Sequence, residues 1–314
     1  MATLRAIKTR IGAVGKIKKI TNALEIVALT RLRRMESVTM ASRDYFERIR
    51  ILLCDVASNT NFISHPFLDK TRQGRSVAIA AIFSDKGLCG SFNANAGGRL
   101  SELIGSLTDR NVKVAIIGKK GQRYVKQGPR CQLAGVHASS DKEAIEKTAV
   151  DVANMFIEQF LSKEIDEIIL LYNKFKRHLL GDAHVIKLLP FSVEAGPMPT
   201  LRGTPQSLRA DNLRSQLAPG EATSKERRNR DYIYEPRAKE IINELVREYI
   251  KNQIQHGILE SRCAEEMARM MAMKSAGDNA DEMIEALNLS YHKSRQAQIT
   301  KELLDVITAA EVAM

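Results

Sequence analysis

The side chains that most often carry out catalysis or hold metal ions are thinly spread in this sequence. Its six histidines include no His-x-x-x-His or His-Glu-x-x-His pair that one face of a helix would bring together. There is no Gly-x-Ser-x-Gly nucleophile motif. The four cysteines form no Cys-x-x-Cys pair, which argues against a zinc site or disulfide framework and favours a reducing compartment; they are Cys54, Cys89, Cys131 and Cys263. The sequence therefore predicts no catalytic apparatus, metal site or cofactor of its own.

Phosphate-binding motifs are also missing. Neither G-x-x-x-x-G-K-[ST] nor G-x-G-x-x-G after a strand occurs in the chain. The tetrapeptide Gly118-Lys119-Lys120-Gly121 follows a predicted strand and would place backbone amides near a phosphate. The same tetrapeptide is typical of an ordinary strand-to-helix turn, which is the interpretation we favour. A nucleotide-dependent enzyme therefore stays open as one hypothesis of function.

The composition excludes several classes of protein. Apolar residues make up 44% of the chain, enough for a sizeable core, so the chain is not wholly disordered. No apolar run approaches the roughly 18 residues that span a bilayer. Lysine and arginine number 48 against 37 acidic residues, a net charge of +11. We therefore expect a soluble or peripheral protein with an acidic partner.

The basic residues near the N-terminus have two interpretations. They are Lys16, Lys18, Lys19, Arg31, Arg33 and Arg34. Such a cluster would bind nucleic acid, although no aromatic residue precedes Tyr45 to stack on bases. It would equally form the charged face of a coiled coil that meets acidic protein loops. Both interpretations stay open at this point.

Two long segments at the chain ends carry apolar residues at three- and four-residue steps, the period of an amphipathic helix. The first runs from residue 3 to about residue 57 and the second from 237 to 314. The second, of 78 residues, would measure roughly 115 Å as a helix, more than twice the ~50 Å diameter of a compact globule of the whole chain's length. It must therefore break near Gly257 or Gly277, or project as part of a coiled coil.

The distribution of charge favours the coiled coil. Residues 1–50 carry 12 basic and 4 acidic side chains, whereas residues 231–314 carry 10 basic and 15 acidic ones. Opposite net charges suit two helices packed along each other. A methionine cluster in the second segment is interpreted as adaptable packing against the partner helix; it comprises Met267, Met270, Met271 and Met273.

The middle of the chain alternates predicted strands and helices. Strands are predicted at 77–83, 112–117, 165–175 and 184–191, and helices at 93–106, 119–127 and 141–161. This order predicts a mostly parallel, Rossmann-like α/β domain. Residues 194–230 hold half of the eight prolines and a basic run, which predicts an extended loop. We therefore expect an N-terminal coiled-coil helix (1–60), an α/β domain (74–193), a loop insertion (194–230) and a C-terminal coiled-coil helix (231–314).

Five segments carry a more specific pattern. In chain order they are 19–28 (KITNALEIVA), 84–90 (SDKGLCG), 232–236 (YIYEP), 270–280 (MMAMKSAGDNA) and 289–303 (LSYHKSRQAQITKEL). Each is similar to a motif of the gamma subunit of F-type ATP synthases. The chain departs from these motifs at Asn22 (usually Lys), Leu24 (usually Met), Gly277 (usually Thr) and His292 (usually Asn). The 194–230 segment is longer than usual in that family and holds no cysteine, so the thiol switch of chloroplast members is not implied.

The resemblance implies a non-catalytic rotary central stalk. The two terminal helices would pack antiparallel as a shaft inside a ring of alternating alpha and beta subunits. The α/β domain would lie below, beside the epsilon subunit and on the membrane rotor ring (c-ring). Proton or sodium flow would turn the shaft and drive ATP synthesis at the beta subunits. The alternative is a coiled-coil adaptor with a basic nucleic-acid-binding surface.

The resemblance also implies three sets of contact residues. The upper shaft would contact the beta subunit through Leu24, Arg295, Gln296, Thr300 and Glu302. An acidic loop of beta would be met by Arg33, Arg34, Lys86 and Cys89. The rotor ring would be contacted by Tyr232, Tyr234 and Glu235.

The N-terminus bears on the source of the protein. Glu25 is the only carboxylate before Glu36, a pattern found in mitochondrial transit peptides. The helical periodicity continues to about residue 57, far past any cleavage site, which argues against such a peptide. We therefore expect a bacterial protein bound peripherally to the cytoplasmic side of the inner membrane.

Overall fold

The computed structural model describes residues 4–59, 65–67, 75–107, 109–125, 128, 131–138, 142–175, 182–191, 235 and 238–312. The elements in chain order are α1 (Leu4–Asn59), β1 (Ser76–Ile82), α2 (Phe92–Ser106), β2 (Asn111–Ile117), a 3₁₀ helix (Lys119–Tyr124), β3 (Cys131–His137), α3 (Lys142–Leu161), β4 (Glu167–Asn173), β5 (Ala183–Leu189) and α4 (Ala238–Val312). The predicted loop 194–230 lies outside the described residues.

The two terminal helices pack side by side as an antiparallel pair, which we call the rod. Helix α1 has 56 residues and α4 has 75, and α4 continues through both of its glycines without a break. Contacts that join the helices run in opposite directions along the chain: Lys18 meets Asp281, Arg31 meets Glu266 and Arg43 meets Glu260. The opposite net charges of the two segments are therefore brought together, as expected.

The central sheet has five strands in the order β3-β2-β1-β4-β5. Strands β1 to β4 are parallel and β5 is antiparallel to β4. In β1, Val77, Ile79 and Ala81 face a core shared with α2. The alternate residues of the same strand face a larger core shared with α3 and with both rod helices. Burial on both faces explains the continuous apolar runs of the central strands.

The lower part of α4 is one wall of this domain core. Its side chains at Ile250, Ile254 and Ile258 are fully buried. A Cβ atom added at Gly257 would lie 3.1 Å from side-chain atoms of both Ile82 and Leu170. The glycine therefore lets the helix backbone approach the sheet closely, and the rod is rooted in the sheet domain through α4.

The described elements agree with the predicted α/β domain and coiled coil. Strand β3, an edge strand with the sequence CQLAGVH, is missing from the sequence prediction. Its covered positions include Gly135 and His137 and its solvent-facing positions include Val136, so apolar and polar residues do not alternate along it. The short helix predicted over 119–127 is a 3₁₀ helix that ends at Tyr124.

Candidate functional site

The loop that joins β1 to α2, residues 83–91, is fixed from inside by Asn93. The Asn93 amide accepts a hydrogen bond from the Ser84 backbone N–H at 3.1 Å and donates to Ser84 Oγ at 2.7 Å. It also donates to Cys89 Sγ at 3.2 Å. Burial raises the pKa of the Cys89 thiol, so Cys89 stays neutral at physiological pH. These contacts give the loop one defined conformation.

The same loop is bound to α4 and to the following turn. Asp85 lies 3.3 Å from Arg262 Nη2 of α4 and accepts a hydrogen bond from the Lys119 backbone N–H at 3.1 Å. Arg269 Nε donates to the Gly87 carbonyl at 3.4 Å. The loop therefore connects the carboxyl edge of the sheet to the middle of the rod.

A buried group of charges on α4 supports this connection. Glu265 accepts hydrogen bonds from Arg269 at 2.6 Å and from Arg262 at 3.2 Å. Arg269 also pairs with Glu266 at 2.6 Å, and Glu266 lies 4.0 Å from Arg31 of α1. Burial raises the pKa of the Glu265 carboxyl, while the two arginines act in the opposite direction. Removing one member of such a buried pair costs about 3–5 kcal/mol, because the other charge is left uncompensated.

One buried carboxylate joins three elements at the base of the rod. Glu260 of α4 is 1% exposed; its Oε1 accepts a hydrogen bond from Arg43 of α1 at 2.9 Å. Its Oε2 accepts from the backbone N–H of Phe175, just after β4, at 2.9 Å. His256 lies one turn earlier, with Nε2 3.7 Å from Glu260 Oε1 and its ring 5.0 Å from that of Phe46. Glu260 therefore connects both rod helices to the end of β4.

The rod is narrow at one level in its distal half, the half farthest from the sheet. Gly277 of α4 faces α1, and a Cβ atom there would lie 2.9 Å from Asn22 Oδ1 and 3.6 Å from Thr21 Oγ1. Asn22 and Gly277 are two of the positions at which the sequence departs from the resembling motifs. The structure thus brings these two departures together. At each of the two positions this chain has a smaller residue than the motif, and the two residues fit beside each other.

Helix α4 extends beyond α1 at the distal end. Since Lys18 meets Asp281 and the helices are antiparallel, Leu4 lies level with about residue 295. The last part of α4, to Val312, projects roughly 25 Å farther. Large apolar side chains are exposed on the distal rod, a pattern typical of a surface that another molecule covers; they include Ile17, Ile20, Met283, Leu289, Ile299, Leu303 and Leu304.

The structure places most of the predicted contact residues. Exposed positions are occupied by Arg33, Arg34, Lys86, Arg295, Gln296, Thr300 and Glu302, and Leu24 is half-buried. Glu235 is exposed, while Tyr232 and Tyr234 lie outside the described residues. Cys89 is 2% exposed and packs against Ala264 and Ala268 of α4. Its side chain thus supports the 83–91 loop from inside and does not reach the surface.

Sequence reasoning missed the residues that connect the elements. Glu260, Arg262 and Glu265 are charged residues on a helix, which a periodicity analysis assigns to a solvent-facing side. Leu88 of the 84–90 motif is likewise absent from the predicted contact residues. A signal was available for Leu88, because a large apolar residue between Gly87 and Gly90 in a polar loop is unusual.

No group of three or more metal-ligating side chains comes together in the part of the chain that the structure describes. Within the same residues, none of the helices is both long enough and apolar enough to cross a membrane.

Comparison with known proteins gives a consistent result. A family model described as ATP synthase matches residues 3–312. The ATP synthase gamma chain of Anaeromyxobacter sp. (strain Fw109-5) is 32% identical in an alignment of 319 residues that covers 99% of each chain. The gamma chains of Chlorobaculum tepidum and Fusobacterium nucleatum are 31% and 29% identical, again over 99% of each chain.

Solved structures share the fold. A chain from the Euglena gracilis mitochondrial ATP synthase (OSCP/F1/c-ring, rotational state 3) superposes with a TM-score of 0.63 and 16% identity, covering 98% of this chain and 94% of that one. A chain from the central stalk/c-ring structure of the Tetrahymena thermophila mitochondrial enzyme gives 0.56 and 21% identity, covering 82% and 99%.

Proposed function

The chain belongs to the ATP synthase gamma chain family, and from that premise we propose how its rod and loop transmit rotation. As a gamma chain it is a non-catalytic, rotary central-stalk subunit of the ATP synthase complex. The family assignment gives no support to a nucleic-acid adaptor. The observation that carries the proposal is the rod itself: two antiparallel helices rooted in a sheet domain, with an exposed apolar distal half.

We propose that the distal rod turns inside the ring of alpha and beta subunits. The overhanging end of α4 presents Arg295, Gln296, Thr300 and Glu302 to the solvent, as the resemblance implies for contacts with beta. Leu24 lies farther down the rod and is half-buried. The exposed apolar side chains at this end would lie against the inner wall of the ring.

A second set of contacts would form where the rod leaves the ring. Arg33 and Arg34 on α1 and Lys86 on the 83–91 loop are exposed and positively charged, which suits an acidic loop of beta. Cys89 would act from inside, by holding the loop that presents Lys86. The c-ring would be contacted by Tyr232, Tyr234 and Glu235, as the resemblance implies, and the sheet domain would lie beside the epsilon subunit.

The mechanism follows from asymmetry. A rod with different residues around its circumference contacts three identical beta subunits differently at any instant. Each contact favours one conformation of its subunit, and rotation moves that preference from one subunit to the next. Ion flow through the c-ring would drive the rotation through the sheet domain and the Glu260 junction. The nucleotide chemistry would take place in the beta subunits.

The position in the cell is proposed at two levels. A gamma chain is part of the peripheral sector of the complex, and we propose the cytoplasmic side of a bacterial inner membrane for this one. The support is the bacterial origin of the gamma chains reported above.

The proposal is tested by charge reversal at the acidic-loop contact. The double variant Arg33→Glu, Arg34→Glu should lower ATP synthesis and ATP-driven ion pumping in membrane vesicles, because like charges would then meet. Arg48→Glu with Lys147→Glu is the matched control, since it changes the same amount of charge at exposed helix positions outside the proposed contacts. Equal rates for wild type and the Arg33/Arg34 variant would refute this contact.

A further inference from the structure

The tip of the 83–91 loop carries a leucine in an unfavourable backbone conformation. Leu88 has a φ of +63°, in the left-handed region that bulky residues rarely adopt. Its side chain is 64% exposed, so it does not contribute to the core of this chain. A strained backbone and an exposed apolar side chain at the same position are both unfavourable in the isolated chain, and such outliers cluster at functional sites.

The surrounding contacts hold Leu88 in this conformation. On one side the Ser84 hydroxyl donates a hydrogen bond to the Lys86 carbonyl at 2.7 Å, and on the other Cys89 is buried against α4. Gly90, with a φ of +54°, passes close to α4: a Cβ atom there would lie 3.6 Å from that of Ala272. The loop is thus tied down on both sides of Leu88, and Leu88 itself points outward from a rigid base.

Positive charges flank the leucine. Lys86 is exposed two residues earlier in the same loop. Lys119 and Lys120 are exposed on the neighbouring turn, whose backbone N–H groups donate to Asp85 Oδ1 at 3.1 Å and to the Ser84 carbonyl at 3.0 Å. The carboxylate of Asp85 is engaged with that turn and with Arg262, so the net charge around Leu88 is positive.

We propose that Leu88 is the central docking residue of this loop and inserts into an apolar depression flanked by carboxylates on the beta subunit. The inference rests on the proposed function, because it assigns the residue through which the loop contacts the ring. The apolar side chain supplies contact energy at the centre, and the lysines around it supply charge complementarity at the rim. Because the loop is already ordered, little conformational entropy is lost on docking.

The test uses the full chain assembled with its alpha–beta ring. Leu88→Asn removes the apolar contact but suits the left-handed conformation, which asparagine tolerates. The free variant should unfold at the same or a higher temperature than wild type, while it should dissociate from the ring about tenfold faster. Leu88→Met keeps an apolar side chain and should restore slow dissociation. Leu161→Asn, at a leucine that is 39% exposed at the end of α3, is the control and should leave dissociation unchanged.

Each outcome decides the inference. A dissociation rate of the Leu88→Asn variant equal to that of wild type would overturn the inference. A lower unfolding temperature of the free Leu88→Asn chain would also overturn it, because Leu88 would then stabilise the fold of this chain itself. Failure of the wild-type chain to assemble with the ring would instead overturn the proposed function, and this inference with it.

Discussion

Glu260 is predicted to carry the mechanical connection between the rod and the sheet. Its two carboxylate oxygens accept one hydrogen bond each, from Arg43 of α1 and from the Phe175 backbone N–H. A glutamine has only one acceptor oxygen, so Glu260→Gln leaves one of these donors facing an NH₂ group. A buried, unsatisfied donor costs about 1–3 kcal/mol. Because the Arg43 side chain is 37% exposed and reaches water, we expect a loss of about 1–2 kcal/mol in the free energy of unfolding.

The assay is urea-induced unfolding of the full chain, followed by circular dichroism. The Arg43→Gln variant completes a double-mutant cycle, in which we expect a coupling energy of at least about 0.5 kcal/mol because the two side chains are in contact. Glu164→Gln is the matched control: Glu164 pairs with Lys113 at 2.9 Å on an exposed surface, where a pair contributes about 1 kcal/mol or less. A Glu260→Gln variant as stable as the wild type, or a cycle that shows no coupling, would refute the reasoning.

Two further predictions concern the same rod. The pKa of His256 is lowered, and burial is the largest cause. The Glu260 carboxylate acts in the opposite direction, while Arg43 and Lys174 lower the pKa further. The neutral form of His256 is therefore favoured in the folded chain. Below the ordinary histidine pKa the unfolded chain binds a proton at His256 more readily than the folded chain, so the free energy of unfolding should fall as the pH drops below that value. In urea titrations the His256→Phe variant should lose less of its free energy of unfolding between pH 7 and pH 5 than wild type. Equal losses in the two proteins would contradict this. Gly277→Ala should stabilise the chain by about 1 kcal/mol in an Asn22→Ala background, through helix propensity, and by less in the wild-type background; equal gains in unfolding titrations would show that the two residues do not interact.

The architecture could be predicted because its signals are local. The three- and four-residue apolar period indicated both terminal helices, and the continuous apolar runs indicated the buried strands. Strand β3 was missed because an edge strand pairs on one side only, and its alternation is weak in a sequence that contains Gly135. The length of the C-terminal segment, set against the diameter of a globule, left either a broken helix or a projecting one, and the opposite net charges of the two terminal segments favoured the projecting coiled coil.

The connecting residues could not be predicted because their roles depend on tertiary contacts. Nothing local distinguishes Glu260 or Glu265 from a charged residue on the solvent side of a helix, and only the packing of α1 and the sheet buries them. The proximity of Asn22 to Gly277 depends on the relative position of the two helices, which periodicity does not specify. For Cys89, the sequence pattern placed the residue in the correct loop, but only the structure shows its side chain directed inward against α4.

The central claim is that this chain turns within the alpha–beta ring. The most direct measurement is single-molecule rotation: the ring is fixed to a surface, and a marker is attached through Lys147→Cys, an exposed position on α3 of the sheet domain. On addition of ATP, the account predicts rotation in one direction with three dwell positions per turn, one for each beta subunit. A marker that stays still while the assembled complex hydrolyses ATP at its normal rate would contradict the account.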